Sequence, residues 1–232
     1  MSKMFKTITQ TWNPFTGCGF DCSYCWAKAL SKGKLAASYP NGFVPTFHPK
    51  RVNRKFKAGE FVFVSSMGDI SFCPDYDFVE IMSTIADNPD AHFLIQTKNP
   101  SMYIANQFPP NVYTGTTIET NRETTLNYSK APNTEQRYKD MVMNEHPHRF
   151  LSIEPIMDFD LIEFSNWIYD IEPEIVEIGA DNYHNGLPEP SWDKVNKLIN
   201  ILTLHGVQVK RKDGLDRLQR ARVSQSTKEV KD

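Results

Sequence analysis

The chain has 232 residues, 40% hydrophobic and 23% charged, with 15 Phe, 9 Tyr and 4 Trp, which excludes a disordered or fibrous polypeptide and supplies bulk for a sizeable core. Its 26 Lys and Arg against 28 Asp and Glu give a formal charge of -2, so the whole molecule is no nonspecific nucleic-acid glue and any such binding must come from a local patch. No apolar run reaches the ~18 residues of a membrane helix, and Met1-Ser2-Lys3-Met4-Phe5-Lys6 lacks the apolar stretch of a signal peptide; a soluble, cytoplasmic protein with no membrane partner is expected.

Short β-rich runs alternate with helical patterns, as in βα units around a parallel sheet. Thr7 to Trp12 reads as a first strand, a cysteine-bearing loop follows, and Trp26 to Ala37, rich in Ala, Leu and Lys, reads as a helix. Phe61-Val62-Phe63-Val64 makes a second strand, ending in Ser65-Ser66-Met67-Gly68-Asp69; Phe78, Ile81, Met82 and Ile85 then repeat at helical spacing up to Asn88-Pro89. Further strands are expected at His92 to Thr97, Val112 to Ile118, Arg149 to Ile153 and Glu174 to Gly179, with a short last one at Val207 to Lys210. Between them helices are expected at Ser101 to Gln107, Asn121 to Asn144 with a break near Pro132, Asp160 to Asp170, and Trp192 to His205. Six such units predict an α/β fold, an open or partial (β/α)6 barrel over residues 1–212, with a doubly wound open sheet as the alternative. Residues 213–232 read as a basic, polar tail with a short helix through Leu215, Leu218 and Arg222.

Three of the four cysteines, Cys18, Cys22 and Cys25, stand in C-x3-C-x2-C on the loop after the first strand, and Cys73 stands apart. That distribution suits a metal site in a reducing compartment better than a disulfide framework. A [4Fe-4S] cluster held by three thiolates keeps one iron open to an outside ligand. Zinc is the alternative, and it would need a fourth ligand from His48, Cys73 or His92, none at knuckle spacing.

The loop resembles that of the radical S-adenosylmethionine (SAM) superfamily, in which this spacing, with an aromatic such as Tyr24 before the third cysteine, holds the cluster while the open iron binds SAM. Thr11-Trp12-Asn13-Pro14-Phe15-Thr16-Gly17-Cys18 and Cys22-Ser23-Tyr24-Cys25-Trp26-Ala27 are similar to two of its subgroups, the phage Gp37/Gp68-like and the spore photoproduct lyase-like proteins. Ser66-Met67-Gly68-Asp69, Gln96-Thr97-Lys98-Asn99-Pro100, Gly115-Thr116-Thr117-Ile118-Glu119, Ser152-Ile153-Glu154-Pro155 and Ile178-Gly179-Ala180-Asp181 extend the similarity to the phage group, and the cysteine spacing is the lyase-like one. The resemblance implies a partial barrel of the radical SAM type, a [4Fe-4S] cluster, SAM as cofactor, and an external electron donor such as flavodoxin. It also implies reductive cleavage of SAM to a 5'-deoxyadenosyl radical that abstracts hydrogen from a substrate.

On that resemblance Gly68 and Asp69 are expected to receive the SAM amino group, a Gly admitting close backbone approach and the Asp offering a carboxylate. Thr117 and Glu119, at the end of the fourth strand, are candidates for the ribose hydroxyls, and Gly179 for close approach to adenine. Lys98 and Glu154 follow apolar strands and are candidates for the SAM carboxylate or the substrate; Arg122 is a further carboxylate candidate. Cys73 corresponds in region to the hydrogen-donor cysteine of the lyase-like enzymes, and equally reads as a small core hydrophobe.

Residues 49–57 carry five positive charges, of which Lys50, Arg51, Arg54 and Lys55 are candidate phosphate contacts; Lys210-Arg211-Lys212, Arg217, Arg220 and Arg222 form a second basic group. The combined expectation is a radical SAM enzyme acting on a nucleic-acid base or nucleoside, in modification, rearrangement or repair, with phage DNA hypermodification as one such setting. A zinc-stabilised nucleic-acid-binding module, a radical SAM enzyme on a small molecule and an electron-transfer iron-sulfur protein are the alternatives.

Overall fold

A computed structural model describes residues 5–219. Nine strands and six α-helices run in the order β1 (Gln10–Trp12), β2 (Phe15–Thr16), α1 (Trp26–Lys32), β3 (Thr46–Phe47), β4 (Phe61–Val64), α2 (Asp75–Ala86), β5 (His92–Gln96), α3 (Ser101–Ala105), β6 (Val112–Thr117), α4 (Thr134–Val142), β7 (Arg149–Ile153), α5 (Leu161–Ile171), β8 (Ile175–Ile178), α6 (Trp192–Leu204) and β9 (Gln208–Arg211). Seven strands form one sheet ordered β1-β4-β5-β6-β7-β8-β9, and every neighbouring pair in it is parallel. The sheet curls into the half-barrel expected of the sequence, and the doubly wound alternative does not occur.

Strand alternation makes the two faces chemically different. Val62, Val64, Phe93, Ile95, Leu151, Ile153, Val176 and Ile178 pack outward under the helices in the main core, to which α2 gives Phe78, Ile81 and Ile85. Phe61, Phe63, Leu94, Phe150 and Ile175 point to the concave face, where Phe5 and Ile8 close them off from water. The first strand is shorter than its sequence suggests, for a stated reason: Glu177 on β8 accepts from the Lys6 and Thr7 amides at 2.7 and 2.9 Å and draws residues 5–8 across the concave face, out of the sheet. Likewise α1 stops at Lys32 rather than Ala37, because Gly33, a poor helix former, turns its N–H back onto Ala29 and Leu30. The break near Pro132 is present: residues 123–127 make a 3-10 turn, and Asn133 caps α4 by accepting from the Gln136 amide at 2.7 Å.

Leu215 and Leu218 are buried in the main core, so the chain beyond β9 continues to pack at least that far. Arg220, Arg222 and the rest of the expected tail lie outside the described residues. Among the described residues no helix is long and apolar enough to cross a membrane.

Candidate active site

Beyond β1 the chain passes over Asn13-Pro14 into the cysteine loop, and hydrogen bonds fasten that loop to the turn after β4. Asn13 Oδ1 accepts from the Met67 amide at 2.9 Å and from the Ser66 hydroxyl at 3.1 Å. The Gly17 amide donates to Met67 O at 2.9 Å, and Gly17 O accepts from the Asp69 amide at 3.1 Å, extending the β1–β4 pairing past both strand ends. Gly68 is required there: a Cβ would lie 2.6 Å from Gly17 O and 2.8 Å from Gly17 N. Cys25 caps α1, and the antiparallel pair β2–β3, which the sequence did not announce, braces the loop from outside.

A cleft of about 650 Å³ opens at the C-terminal ends of the strands, within the roughly 300–1,000 Å³ of small-molecule sites. Its wall runs from Cys18, Cys22, Tyr24 and Cys25 on the β1 side to Glu154 and Lys212 on the β7 and β9 side. Of the residues singled out in the sequence it brings together the three cysteines, Tyr24, Gly68, Asp69, Lys98, Thr117 and Glu154. Lys212, which the sequence placed in a basic group, also lines it, as do Gln96 and Ser152, which the sequence motifs contain without a site role. The signal for them was period-2 alternation, since Gln96 precedes Lys98 by two residues and Ser152 precedes Glu154 by two.

Under Tyr24 lies a sealed charge cluster. Glu119 is fully buried and accepts at Oε1 from the Tyr24 hydroxyl and the Lys98 ammonium, both at 2.6 Å. On its other side Arg137 Nη1 stands 2.9 Å from Oε2, an ion pair without directional hydrogen-bond geometry, while the same guanidinium donates to Thr117 O. Burial by itself would raise the Glu119 pKa, but Arg137 and then Lys98 outweigh it and hold the carboxyl down at about 2. For Lys98 burial works against the charge, and Glu119 and Tyr24 more than compensate, so its pKa is raised. Arg137, on the inner face of α4, carried no sequence signal.

Other expected site residues take different positions. The Asp69 carboxylate, assigned from the sequence to the SAM amino group, is engaged by the protein: Oδ1 accepts from the Ser71 amide and hydroxyl and from Thr97 Oγ1, and Oδ2 from the Lys98 amide at 2.8 Å. Glu119, a ribose candidate in the sequence, lies fully buried beneath the cleft rather than on its wall, its carboxylate engaged by Tyr24, Lys98 and Arg137. Gly179 is spaced against Glu154, whose carboxylate occupies the place a Gly179 side chain would take. Arg122 pairs with Asp158 and Asp160 outside the cleft. Cys73 ends the 3-10 turn of residues 70–72 and packs against the main core, away from the cleft wall. Burial, then Asp77 and Asp75, push its thiol up to about 12, far from a reactive thiolate at neutral pH.

Each cysteine of the loop has polar partners for its sulfur: the Phe20 amide donates to Cys18 Sγ at 3.4 Å and the Lys28 amide to Cys25 Sγ at 3.3 Å, while Cys22 Sγ lies 3.0 Å from Ser129 Oγ and accepts from Lys98 Nζ at 3.7 Å. Burial, followed by the Asp69 charge, pushes the Cys18 thiol up, and burial does the same at Cys25; a bound cationic centre is what reverses that penalty. Among the described residues no three His, Cys, Asp or Glu side chains converge on one metal ion. His48, a zinc candidate, is instead 2.8 Å from Thr16 Oγ1, and His92 begins β5, at the opposite end of that strand from the cleft. Three sulfurs on separate positions, each with a donor, fit a cubane cluster, which places each thiolate on its own iron.

The four candidate phosphate contacts of the 49–57 segment lie outside this cleft, beside the edge strand β1. Arg51 donates to Asn13 O at 2.9 Å, Arg54 to Gln10 Oε1 at 2.7 Å and Lys55 to Asp87 O at 3.2 Å, all at the surface, while Lys50 flanks a second, shallower depression with Trp12 and Asn13.

A family model described as "Protein of unknown function (DUF5131)" matches residues 3–170. No curated protein matches the chain at the level of sequence. Among solved structures, a spore photoproduct lyase variant with a dinucleoside spore photoproduct superposes with TM-score 0.54 at 10% identity, over 82% of this chain and 59% of that one. SuiB of Streptococcus suis bound to precursor peptide SuiA gives 0.53 at 10% identity, over 94% and 52%. A radical SAM methyltransferase from Sphaerobacter thermophilus gives 0.51 at 12%, over 92% and 69%. The chain thus spans little more than half the length of the first two, and at these identities the likeness is one of fold.

Proposed function

The chain belongs to the DUF5131 family, and we propose that it is a radical SAM enzyme acting on a nucleic-acid base or nucleoside. The observation that carries this reading is the meeting of Cys18, Cys22 and Cys25 with a cleft at the C-terminal ends of parallel strands, in the fold of radical SAM enzymes. Cys18, Cys22 and Cys25 would hold a [4Fe-4S] cluster. When bound with SAM and reduced by an external donor such as a flavodoxin, the cluster would supply hydrogen abstraction through a 5'-deoxyadenosyl radical.

The protein's own groups divide between cofactor and substrate. The Ser66–Gly68 backbone, held open by Asn13, and the Thr117 hydroxyl line the cofactor side. Asp69 shapes that side by tying the Ser71 turn to Thr97 and Lys98. Toward β7 and β9, Glu154 pairs with Lys212 through Oε2, and Oε1 has no donor among the described residues. Gln96 donates to Thr117 Oγ1 at 2.8 Å, and its carbonyl oxygen is buried without a partner. A carboxylate, an ammonium, the Gln96 side chain and the Ser152 hydroxyl thus line one space walled by Phe20, Trp26, Phe43 and Phe63. Flat apolar walls with a few polar groups suit a planar ring carrying donors and acceptors on its edge, as a nucleobase does. The superposed lyase with its dinucleoside photoproduct supports the same class. Lys50, Arg51, Arg54 and Lys55 would contact the phosphates of a polymer outside the cleft.

Anaerobic reconstitution tests the reading. About four irons per chain and SAM cleavage on reduction are expected, both abolished by Ala at Cys18, Cys22 or Cys25 and the iron kept in Cys73→Ala. One zinc and no sulfide would refute it.

A further inference from the structure

Lys98 enters the cleft wall with no proton to spare. An ammonium has three, and three acceptors surround it: Glu119 Oε1 at 2.6 Å, the Tyr24 oxygen at 2.7 Å and Cys22 Sγ at 3.7 Å. The Tyr24 ring centroid lies 4.4 Å from the same nitrogen. Glu119 cannot drift, because Arg137 holds its other oxygen, and the Glu119 and Arg137 side chains are 0% and 1% exposed. Lys98 is thereby locked, by a carboxylate and a phenol, with its third donor on a cysteine sulfur.

The charges around the loop are arranged unevenly. Two cations, Lys98 and Arg137, share the one carboxylate of Glu119, and the cation left in excess is on the Cys22 side. On the Cys18 side a buried acid, Asp69, accepts only from neutral donors and bears on Cys18. A buried cation in excess is costly unless an anion compensates it, and the Lys98 ammonium directs its remaining N–H at Cys22 Sγ, the atom through which Cys22 would hold the cluster.

We infer that Lys98 is a positioning residue for the cluster rather than a substrate ligand: together with Ser129 Oγ, 3.0 Å from the same atom, it holds the Cys22 sulfur, and its charge raises the cluster's reduction potential. The inference rests on the radical SAM reading. The electron comes from a one-electron donor, and its arrival adds one negative charge to the cluster. A fixed cation and a hydrogen bond at a ligating sulfur both favour the reduced form.

The test is an EPR-monitored redox titration, with dithionite as reductant, of anaerobically reconstituted wild type, Lys98→Met, Lys98→Gln and Lys98→Arg. Lys98→Met keeps Glu119 paired to Arg137 and fits the same stem. At fixed poise its ratio of reduced to oxidised cluster is expected to fall tenfold or more, 59 mV or more for one electron, with Lys98→Arg close to wild type. Equal potentials in wild type and Lys98→Met overturn the inference, as does Lys98→Arg falling as far as Lys98→Met, since shape rather than charge would then matter. If Lys98→Met does not hold iron, Lys98→Gln decides by the same criterion. Should both neutral variants lose the cluster while Lys98→Arg keeps it, the charge is what secures the Cys22 site, as inferred; loss in Lys98→Arg too overturns it. A wild type that binds no cluster refutes the radical SAM reading itself, a result distinct from an unchanged potential.

Discussion

The carboxylate of Glu154 lies over the Cα of Gly179, in the volume that any side chain at 179 would fill. This contact crosses from β7 to β8 and sets where the Glu154–Lys212 pair stands in the cleft. Gly179→Ala should therefore expel Glu154, costing about 1–3 kcal/mol as overpacking does. In Glu154→Ala the obstruction is gone, so the double variant should be less destabilised than the sum of the singles, by a coupling of about 0.5–3 kcal/mol. Urea denaturation of the four proteins measures it, and strict additivity would show that the two residues do not compete for the space.

Asn13 connects the cysteine loop to the turn after β4 through a single oxygen. Asn13→Ala orphans the Met67 amide and the Ser66 hydroxyl, at a cost of about 1–3 kcal/mol for buried donors left unsatisfied. Asn13→Asp retains an acceptor at that place and should recover most of the loss. Because the same turn lines the cleft, the Ala variant should also bind less iron after reconstitution than its melting temperature alone explains. Full iron content at lowered stability would detach Asn13 from the site.

Much of this was legible in the sequence, and its limits have physical causes. The parallel strands were readable because runs such as Phe61-Val62-Phe63-Val64 are buried on both faces. The cysteine loop was readable because thiolates at fixed spacing have few other uses. A carboxylate at a strand end reads as a cleft group, whereas Glu119 is buried, and what offsets the cost is Lys98 together with Arg137, a residue of α4 that no local pattern ties to it. Gly179 was read as making room for a ligand, whereas the room is taken by Glu154, a contact between strands 25 residues apart that no local pattern encodes. Asp69 looked free because the amides that fill its oxygens belong to Ser71 and Lys98, and backbone donors leave no trace in a sequence.

The Glu119 cluster predicts an acid-labile contribution to stability. Its folded pKa of about 2 lies below the ordinary carboxylate value, so the contribution is complete above that ordinary value and is lost as pH falls from about 4.5 toward 2. Glu119→Gln leaves Lys98 and Arg137 uncompensated and should cost about 3–5 kcal/mol at neutral pH. The gap from wild type should narrow across that acid window. Chemical denaturation of both proteins between neutral pH and about pH 3 measures the gap; one that stays constant would show that the carboxylate is not the source.

The basic segment separates a polymer substrate from a free nucleoside. Replacing Lys50, Arg51, Arg54 and Lys55 together with Gln removes four cations beside β1. Each that neutralises a phosphate releases a counterion, so the slope of log affinity against log salt should drop by about 0.9 per contact for duplex DNA. Three of the four also donate to Asn13, Gln10 and Asp87. Gln retains an amide donor, and a thermal melt of the variant checks that the edge of the sheet survives. Substrate-independent SAM cleavage should persist, because the three cysteines and the cleft lie elsewhere. Binding of DNA and RNA oligonucleotides measured by fluorescence anisotropy across salt concentrations decides the matter. A variant with unchanged slope and affinity would mean that the segment is a solvated loop, and a wild type that binds neither polymer while thymidine or another free nucleoside binds in the cleft would move the substrate from chain to monomer.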